Sequence, residues 1–381
     1  MEEAKLSMKI AFIFGTRPEI IKVAPVIREC INRGIDFITI HSGQHYSYEL
    51  DKIFFEELRL PPSDYNLNIK STAPFKQGEH TGRMLIEVEN IILEEKPDVL
   101  LVHGDTNTAL AGALISRKIS TTKNNTRRFV YVGHIEAGLR SYDPLMTEEI
   151  NRVICDHLSD FLFCPTLIAM NNALKEGINK EKIFLTGNTF VDLVYQNLEI
   201  AKQRTDILKK TELKEKEYVL VTAHRQENVD VEEKLTDIIK GLELVYNHFG
   251  LPLVYPMHPR TKKIIEKFGI SIPDGIKVIP PLSFLDFLQL ESKAKLILTD
   301  SGGVQEESCI LNVPCVTLRD NTERPETIEI GSNVLAGTNP VNILSASIKM
   351  INKERNWDNP FGDGKTSERI LNILQNQIKN D

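Results

Sequence analysis

One rhythm constrains this chain more than any other feature: a short β-branched or aromatic run, a turn, then apolar residues at helical spacing, repeated along its length. In the first instance Ile10 to Phe14 reads as a strand ended by Gly15, and Pro18-Glu19 opens a helix in which Ile20, Val23, Ala24, Ile27 and Ile31 recur at helical spacing. The rhythm returns as Phe37–Ile40 followed by Tyr48–Leu58, Val99–Val102 by Thr108–Arg117, Phe129–Val132 by Thr147–Leu158, and Phe161–Phe163 by Thr166–Glu176, closing with Ile183–Leu185. Strands that alternate with amphipathic helices form a parallel sheet covered on both faces. After Gly187 comes a polar stretch, Lys202–Lys216, and the alternation restarts with strands at Tyr218–Val221, Leu253–Tyr255, Lys277–Ile279, Leu296–Leu298 and Cys315–Leu318. At 381 residues the chain exceeds what one core usually organises. The prediction is an α/β protein of two Rossmann-like doubly wound domains, 1–187 and 188–365. Residues 366–381 are expected to cross back to the first domain, with an amphipathic helix over Ser367–Lys379.

Composition excludes several classes. With 41% hydrophobic and 26% charged residues the chain is ordinary for a globular protein. Its net charge of −7 argues against general binding to nucleic acid or anionic membranes, so an anionic ligand needs a locally basic pocket. The longest apolar runs, such as Val99–Val102, fall far short of the roughly 20 residues of a membrane span. Met1 to Ser7 lacks a basic head leading into an apolar core, which makes the cytoplasm the expected compartment. Cys30, Cys155, Cys164, Cys309 and Cys315 form no C-x-x-C pair and read as reduced, buried thiols.

The turns after the strands carry the candidate chemistry. Ser301-Gly302-Gly303 stands between the strand at Leu296–Leu298 and a helix. Its glycines let a ligand approach the backbone, and the first-turn N–H groups favour an anion. Glu306 and Glu307 follow, where a carboxylate can accept hydrogen bonds from a ribose. In the first domain, Gly15-Thr16-Arg17-Pro18-Glu19 is the corresponding turn, and Arg17 and Lys22 point toward the crevice at the strand ends. Asp105 and Glu136 each follow a strand directly, and Glu148-Glu149 opens a helix, where one carboxylate can simply meet the helix dipole. Strand-end acids often serve as N-caps; together these three positions suggest acid–base work. His224, Arg225 and His258 occupy matching strand ends in the second domain. No G-x-G-x-x-G follows the first strand, His41 and His45 lack an H-E-x-x-H context, and Gly364-Lys365-Thr366 has no preceding strand. Neither a nicotinamide, a zinc ion nor a P-loop is therefore expected.

From Met8 onward the chain resembles the non-hydrolysing UDP-N-acetylglucosamine 2-epimerases, through an ordered set of motifs. These are Gly15-Thr16-Arg17-Pro18-Glu19, Ser42-Gly43-Gln44-His45, His103-Gly104-Asp105-Thr106, Glu136-Ala137-Gly138-Leu139-Arg140, Glu148-Glu149-Ile150-Asn151-Arg152, His224-Arg225-Gln226-Glu227-Asn228, Thr299 to Glu307, and Arg319 to Pro325. The resemblance implies a GT-B arrangement of two Rossmann-like domains facing a cleft, a homodimer, and reversible conversion of UDP-GlcNAc to UDP-ManNAc without a cofactor, for surface polysaccharide precursors. The implied route is elimination: a carboxylate takes the C2 proton while UDP leaves C1, and UDP returns to the resulting 2-acetamidoglucal after protonation of the other face.

By motif match, Asp105, Glu136 and Glu148 are the acid–base carboxylates and His224 an accessory group near the diphosphate. Arg17, Ser301, Gly302 and Gly303 would hold phosphates, with Lys22 and Arg324 as further anion contacts. Glu307 would accept from the ribose hydroxyls. Phe287 would stack on uracil, although by itself it reads as helix core. Gln44, His45, Arg225 and His258 are regulatory or sugar-contact candidates, Gln44, His45 and Arg225 matching an activating UDP-GlcNAc site of bacterial members. The chain departs from the usual bacterial pattern at Gln77-Gly78-Glu79-His80 and Met257-His258-Pro259. Rival readings are a hydrolysing epimerase, which releases ManNAc and UDP, a GT-B glycosyltransferase, and a non-catalytic UDP-sugar-binding module.

Overall fold

The computed structural model describes residues 8–43, 55, 58–69, 77–123 and 126–378; most of the helix expected at Tyr48–Leu58 lies outside them. The chain divides into two compact units, Met1–Leu193 with Phe361–Asp381, and Val194–Pro360. In the first, the strands in chain order are β1 (Lys9–Phe14), β2 (Asp36–His41), β3 (Tyr65–Asn66), β4 (Val99–His103), β5 (Ser120–Lys123), β6 (Thr126–Phe129), β7 (Tyr131–Ile135), β8 (Phe161–Cys164) and β9 (Ile183–Leu185). Seven of them form one sheet in the order β3-β2-β1-β4-β7-β8-β9, every neighbouring pair parallel.

Parallel strands need helical crossovers, and the helices bury the apolar stripes that the sequence displays. Ile20, Val23, Ala24 and Ile27 are all buried on helix Arg17–Arg33. Helix Gln77–Glu95, absent from the sequence reading, turns Met84, Val88, Ile91 and Ile92 inward at the same spacing. The expected strand Phe129–Val132 is two elements. Phe129 ends β6, which pairs antiparallel with β5, and Tyr131 begins the sheet strand β7. Buried Val130 separates them.

The second unit contains β10 (Val219–Thr222), β11 (Leu253–Pro256), β12 (Ile276–Ile279), β13 (Leu296–Thr299), β14 (Cys315–Thr317) and β15 (Asn333–Leu335), all in parallel pairs and in the order β12-β11-β10-β13-β14-β15. Both sheets therefore follow the doubly wound order of the Rossmann fold. Strand order reverses between β1 and β4 in one unit and between β10 and β13 in the other, and such reversals leave a crevice at the carboxyl ends of the strands. Strand register brings those ends level. His103 lies opposite Ile135, and Thr222, Thr299 and Thr317 stand in line across the second sheet.

The C-terminal helix Thr366–Ile378 packs on helix Arg17–Arg33, where Arg33 Nη1 donates to Asn372 Oδ1 at 2.6 Å. Its start is held by Asp192, which accepts from the backbone N–H of Thr366 (3.1 Å) and Ser367 (2.8 Å). Among the described residues, no helix is long and apolar enough to cross a membrane. Asp192→Ala leaves two buried N–H groups without their acceptor and is expected to destabilise the first unit by about 1–3 kcal/mol. Urea denaturation, with proteolysis of the C-terminal helix as the local readout, checks this.

Candidate active site

At the first reversal, helix Arg17–Arg33 begins on a capping-box pattern, with Thr16 at its N-cap and Glu19 three residues on. Glu19 does more than cap. Only 2% exposed, it accepts from Gly15 N (3.0 Å), Thr16 N (2.8 Å) and Thr16 Oγ1 (2.9 Å) with one oxygen, and from Thr106 Oγ1 (2.7 Å) with the other. One carboxylate thus joins the loop after β1 to the loop after β4. Burial raises its pKa, against the pull of these donors. Arg17 is exposed at the first helical residue, while Lys22 reaches Glu136 Oε1 at 2.5 Å.

Glu136 leaves β7 with φ of +66°, a left-handed conformation costly for a residue with a side chain. Its other oxygen lies 3.4 Å from His103 Nε2. Burial pushes the His103 pKa down to about 3, so a neutral imidazole stands beside the carboxylate. Asp105, after β4, meets Arg152 Nη2 at 2.5 Å, and its backbone carbonyl accepts from Asn151 Nδ2 at 2.8 Å.

The two adjacent glutamates of helix Thr147–Leu158 take different environments. Glu148 is exposed and accepts from Thr147 Oγ1 at 3.1 Å. Glu149 is buried. Its burial favours the neutral acid, but Ser141 N (2.9 Å), Arg152 Nη1 (2.7 Å), Tyr142 N (2.9 Å) and Ser141 Oγ (3.0 Å) outweigh that and hold its pKa at about 2. Beneath this layer the His134 ring bridges Asp156 Oδ1 (2.7 Å) and the Gly104 carbonyl (2.8 Å), while Asp156 Oδ2 meets Gly138 N (3.0 Å) and Arg140 Nη2 (2.7 Å). The turns bearing Asp105 and Glu136 are thereby tied to one buried network.

In the second unit, Ser301 caps helix Gly302–Ile310, its side chain accepting from Val304 N. Gly302 leaves its Cβ direction bordered by Glu323 Oε2 at 3.4 Å and Arg225 Nη2 at 3.8 Å, and the position beside Gly303 is open except for Ser301 Oγ at 3.8 Å. Asp300, fully buried, accepts from the N–H of His224 (3.0 Å) and Arg225 (2.9 Å) and from Asn228 Nδ2 (3.2 Å). It joins the loop after β10 to the loop after β13. The His224 side chain is 55% exposed, with Nδ1 3.5 Å from Asp300. Arg319 grips Glu323 through two 2.8 Å contacts, which hold the Glu323 pKa at about 2, and Arg324 Nε meets Glu306 at 2.8 Å.

Glu307 is buried one turn along the same helix. Phe287 is half-buried and packs against the core of Leu290, Ala294 and Val304. His258 is an N-cap whose Nδ1 accepts from Arg260 N at 3.2 Å. Gln44 and His45 lie outside the described residues. Among the described residues, no three His, Cys, Asp or Glu side chains come together as a metal site.

These strand-end loops belong to a known lineage. Residues 28–375 match the family described as UDP-N-acetylglucosamine 2-epimerase. The chain belongs to this family. A UDP-N-acetylglucosamine 2-epimerase of Methanocaldococcus jannaschii is 52% identical over 373 residues, covering 96% of this chain and 99% of that protein. The crystal structure of a UDP-GlcNAc 2-epimerase from that organism, in complex with UDP-GlcNAc and UDP, superposes with a TM-score of 0.76 at 51% identity, covering 97% of this chain and all of that one. A UDP-2,3-diacetamido-2,3-dideoxy-D-glucuronate 2-epimerase of Pseudomonas aeruginosa is 39% identical, covering 96% of this chain and 99% of that protein.

Within this 2-epimerase chain, sequence reasoning did not single out Glu19, His103, Arg152 or Asp300. The Thr16-to-Glu19 spacing was a legible signal for the first; the others act through partners distant in sequence. Glu149 gives a pH signature. Its pKa is depressed in the fold, so its contribution is complete above about pH 5 and is lost as pH falls toward about 2. Melting temperature measured across that window should fall less steeply for Glu149→Gln than for the unaltered chain.

Proposed function

We propose that this chain interconverts UDP-GlcNAc and UDP-ManNAc by eliminating UDP to a 2-acetamidoglucal and adding it back, without hydrolysis. The observation that carries the reading is the pairing of strand-end carboxylates with cations, Glu136 with Lys22 and Asp105 with Arg152; in the second unit, Ser301 caps a helix whose Gly303 has open space at its Cβ position apart from Ser301 Oγ. The C2 hydrogen of this sugar is not adjacent to a carbonyl, so its removal depends on loss of the C1 leaving group. That chemistry asks for a base at C2, an acid for the opposite face and a strong clamp on the departing diphosphate.

In this proposal Asp105, Glu136 and Glu148 supply the acid–base groups, and Lys22 and Arg152 hold the Glu136 and Asp105 side chains in place. Ser301, Gly302, Gly303 and Arg17 hold the phosphates, with His224 near the diphosphate and Arg324 braced by Glu306 as a further anion contact. Glu307 accepts from the ribose and the exposed part of Phe287 stacks on uracil. Arg225 and His258 remain proposed regulatory or sugar contacts, and a homodimer is the proposed assembly. The M. jannaschii complex with UDP-GlcNAc and UDP supports this choice of substrate.

Incubation with UDP-GlcNAc in D₂O is the decisive experiment. NMR should show UDP-ManNAc carrying deuterium at C2. Free ManNAc accumulating from the start would establish the hydrolysing reaction instead, and no turnover would sink the enzyme assignment. Asp105→Asn is expected to abolish epimerisation while keeping UDP affinity within a few-fold. Arg17→Ala should weaken UDP binding by about 1.5–3 kcal/mol, the usual value of a charge-assisted contact, as read by calorimetry.

A further inference from the structure

Behind the helix terminus lies a pair of acids, of which the proposed reaction uses only Glu307. Glu291, on helix Phe284–Lys293, is 0% exposed, and neither of its carboxyl oxygens meets a donor. It faces Glu307 of helix Gly302–Ile310, itself 8% exposed. Ionised carboxylates only accept hydrogen bonds, so two of them in contact and out of water repel with nothing between them. One proton resolves the conflict, turning one acid into a donor and leaving the other a carboxylate.

The surrounding charged and titratable groups leave that role to the pair itself. Tyr218 donates its hydroxyl to the Leu290 carbonyl, Arg324 faces Glu306, and Lys293 pairs with Glu215 at 2.9 Å. Cys315, on β14, has its thiol pushed up to about 12 by burial, leaving it neutral.

We propose that Glu291 is the protonated member and donates its O–H to Glu307, holding that carboxylate ionised and oriented to accept from the ribose hydroxyls of the bound nucleotide. The inference rests on the ribose role assigned to Glu307 above. It makes Glu291 a positioning residue: one Glu307 oxygen is occupied and oriented, the other is left for the diol, and the pair carries a single negative charge near the departing diphosphate. The direction of the shifts agrees. Burial and then Glu307 raise Glu291 well above the usual carboxylate range, while for Glu307 burial and the neighbouring Glu306 outweigh the hydrogen bond from Glu291 and leave it at about 7.

The test compares binding of UDP and 2′,3′-dideoxy-UDP by calorimetry to the full chain at pH 8, above the Glu307 value of about 7. The unaltered chain should prefer UDP by about tenfold or more, the value of hydrogen bonds to a charged acceptor. Glu291→Gln, whose amide still donates, should keep that preference. Glu291→Met, of similar size without a donor, should lose most of it, with Glu291→Ala replacing it if the Met variant does not fold. Preference kept in the folded Met or Ala variant, or lost in the Gln variant, overturns the positioning role. If the unaltered chain does not distinguish the two nucleotides, the ribose role of Glu307 fails, and proton sharing is then judged by stability alone. A carboxyl pKa raised by folding means that stability falls as pH rises from about 5 to about 8, and Glu291→Gln should flatten this loss. An unchanged slope overturns the shared proton.

Discussion

Each unit depends on one buried carboxylate at the place where its strand order reverses. A doubly wound sheet sends the loops after β1 and β4, or after β10 and β13, away to opposite faces, so nothing in the sheet itself holds those loops together. Glu19 does so in the first unit by accepting from Gly15, Thr16 and Thr106, and Asp300 does so in the second by accepting from His224, Arg225 and Asn228. In both cases backbone N–H groups that would otherwise be buried without partners converge on one acceptor. A loop whose backbone is satisfied in this way can present Arg17 or the Ser301-Gly302-Gly303 terminus without drifting, which is what preorganisation requires.

Acids that build this scaffold and acids proposed to do chemistry are separated by their partners. Glu149 and Asp156 are saturated with donors, and both are held below the usual carboxylate range even though burial alone would raise them. Such groups cannot exchange protons near neutral pH. Asp105 instead meets Arg152 and Glu136 meets Lys22, and the Asp105 side chain keeps 31% of its surface exposed. Arg152 links the two classes, with one nitrogen on scaffold Glu149 and another on Asp105.

The sequence displayed much of this architecture because strands and helices write their burial into local periodicity. All five strands named in the second half of the chain have counterparts in its sheet, and helix Thr147–Leu158 begins and ends where its pattern does. Short elements were harder. The Thr- and Arg-containing hairpin β5–β6 lacks apolar alternation, and β15 is only three residues long. Candidate site residues were legible where a strand end placed them, as with Asp105, Glu136 and Ser301. What local reading could not supply was pairing across the fold. Glu148 and Glu149 are neighbours of the same type, and only the third dimension shows that one is exposed and the other sits among four donors. Asp300 looked like part of a phosphate turn, yet its partners lie more than 70 positions away.

Glu136 gathers these constraints at one residue. Its left-handed backbone is the kind of cost that persists only where surrounding structure over-determines it, and here Lys22, His103 and the Asp156-anchored turn at Gly138 do so. A glycine at position 136 would remove the strain but also the carboxylate. In the proposed reaction, neutral His103 and cationic Lys22 divide the work of supporting that carboxylate. Lysine supplies a positive charge beside the carboxylate, while the imidazole, neutral with its pKa near 3, adds a buried neighbour that carries no charge of its own. The strained turn and the mixed pair of neighbours are therefore best understood as one device, in which the fold accepts a local backbone cost to hold a carboxylate between Lys22 and His103 at the end of β7.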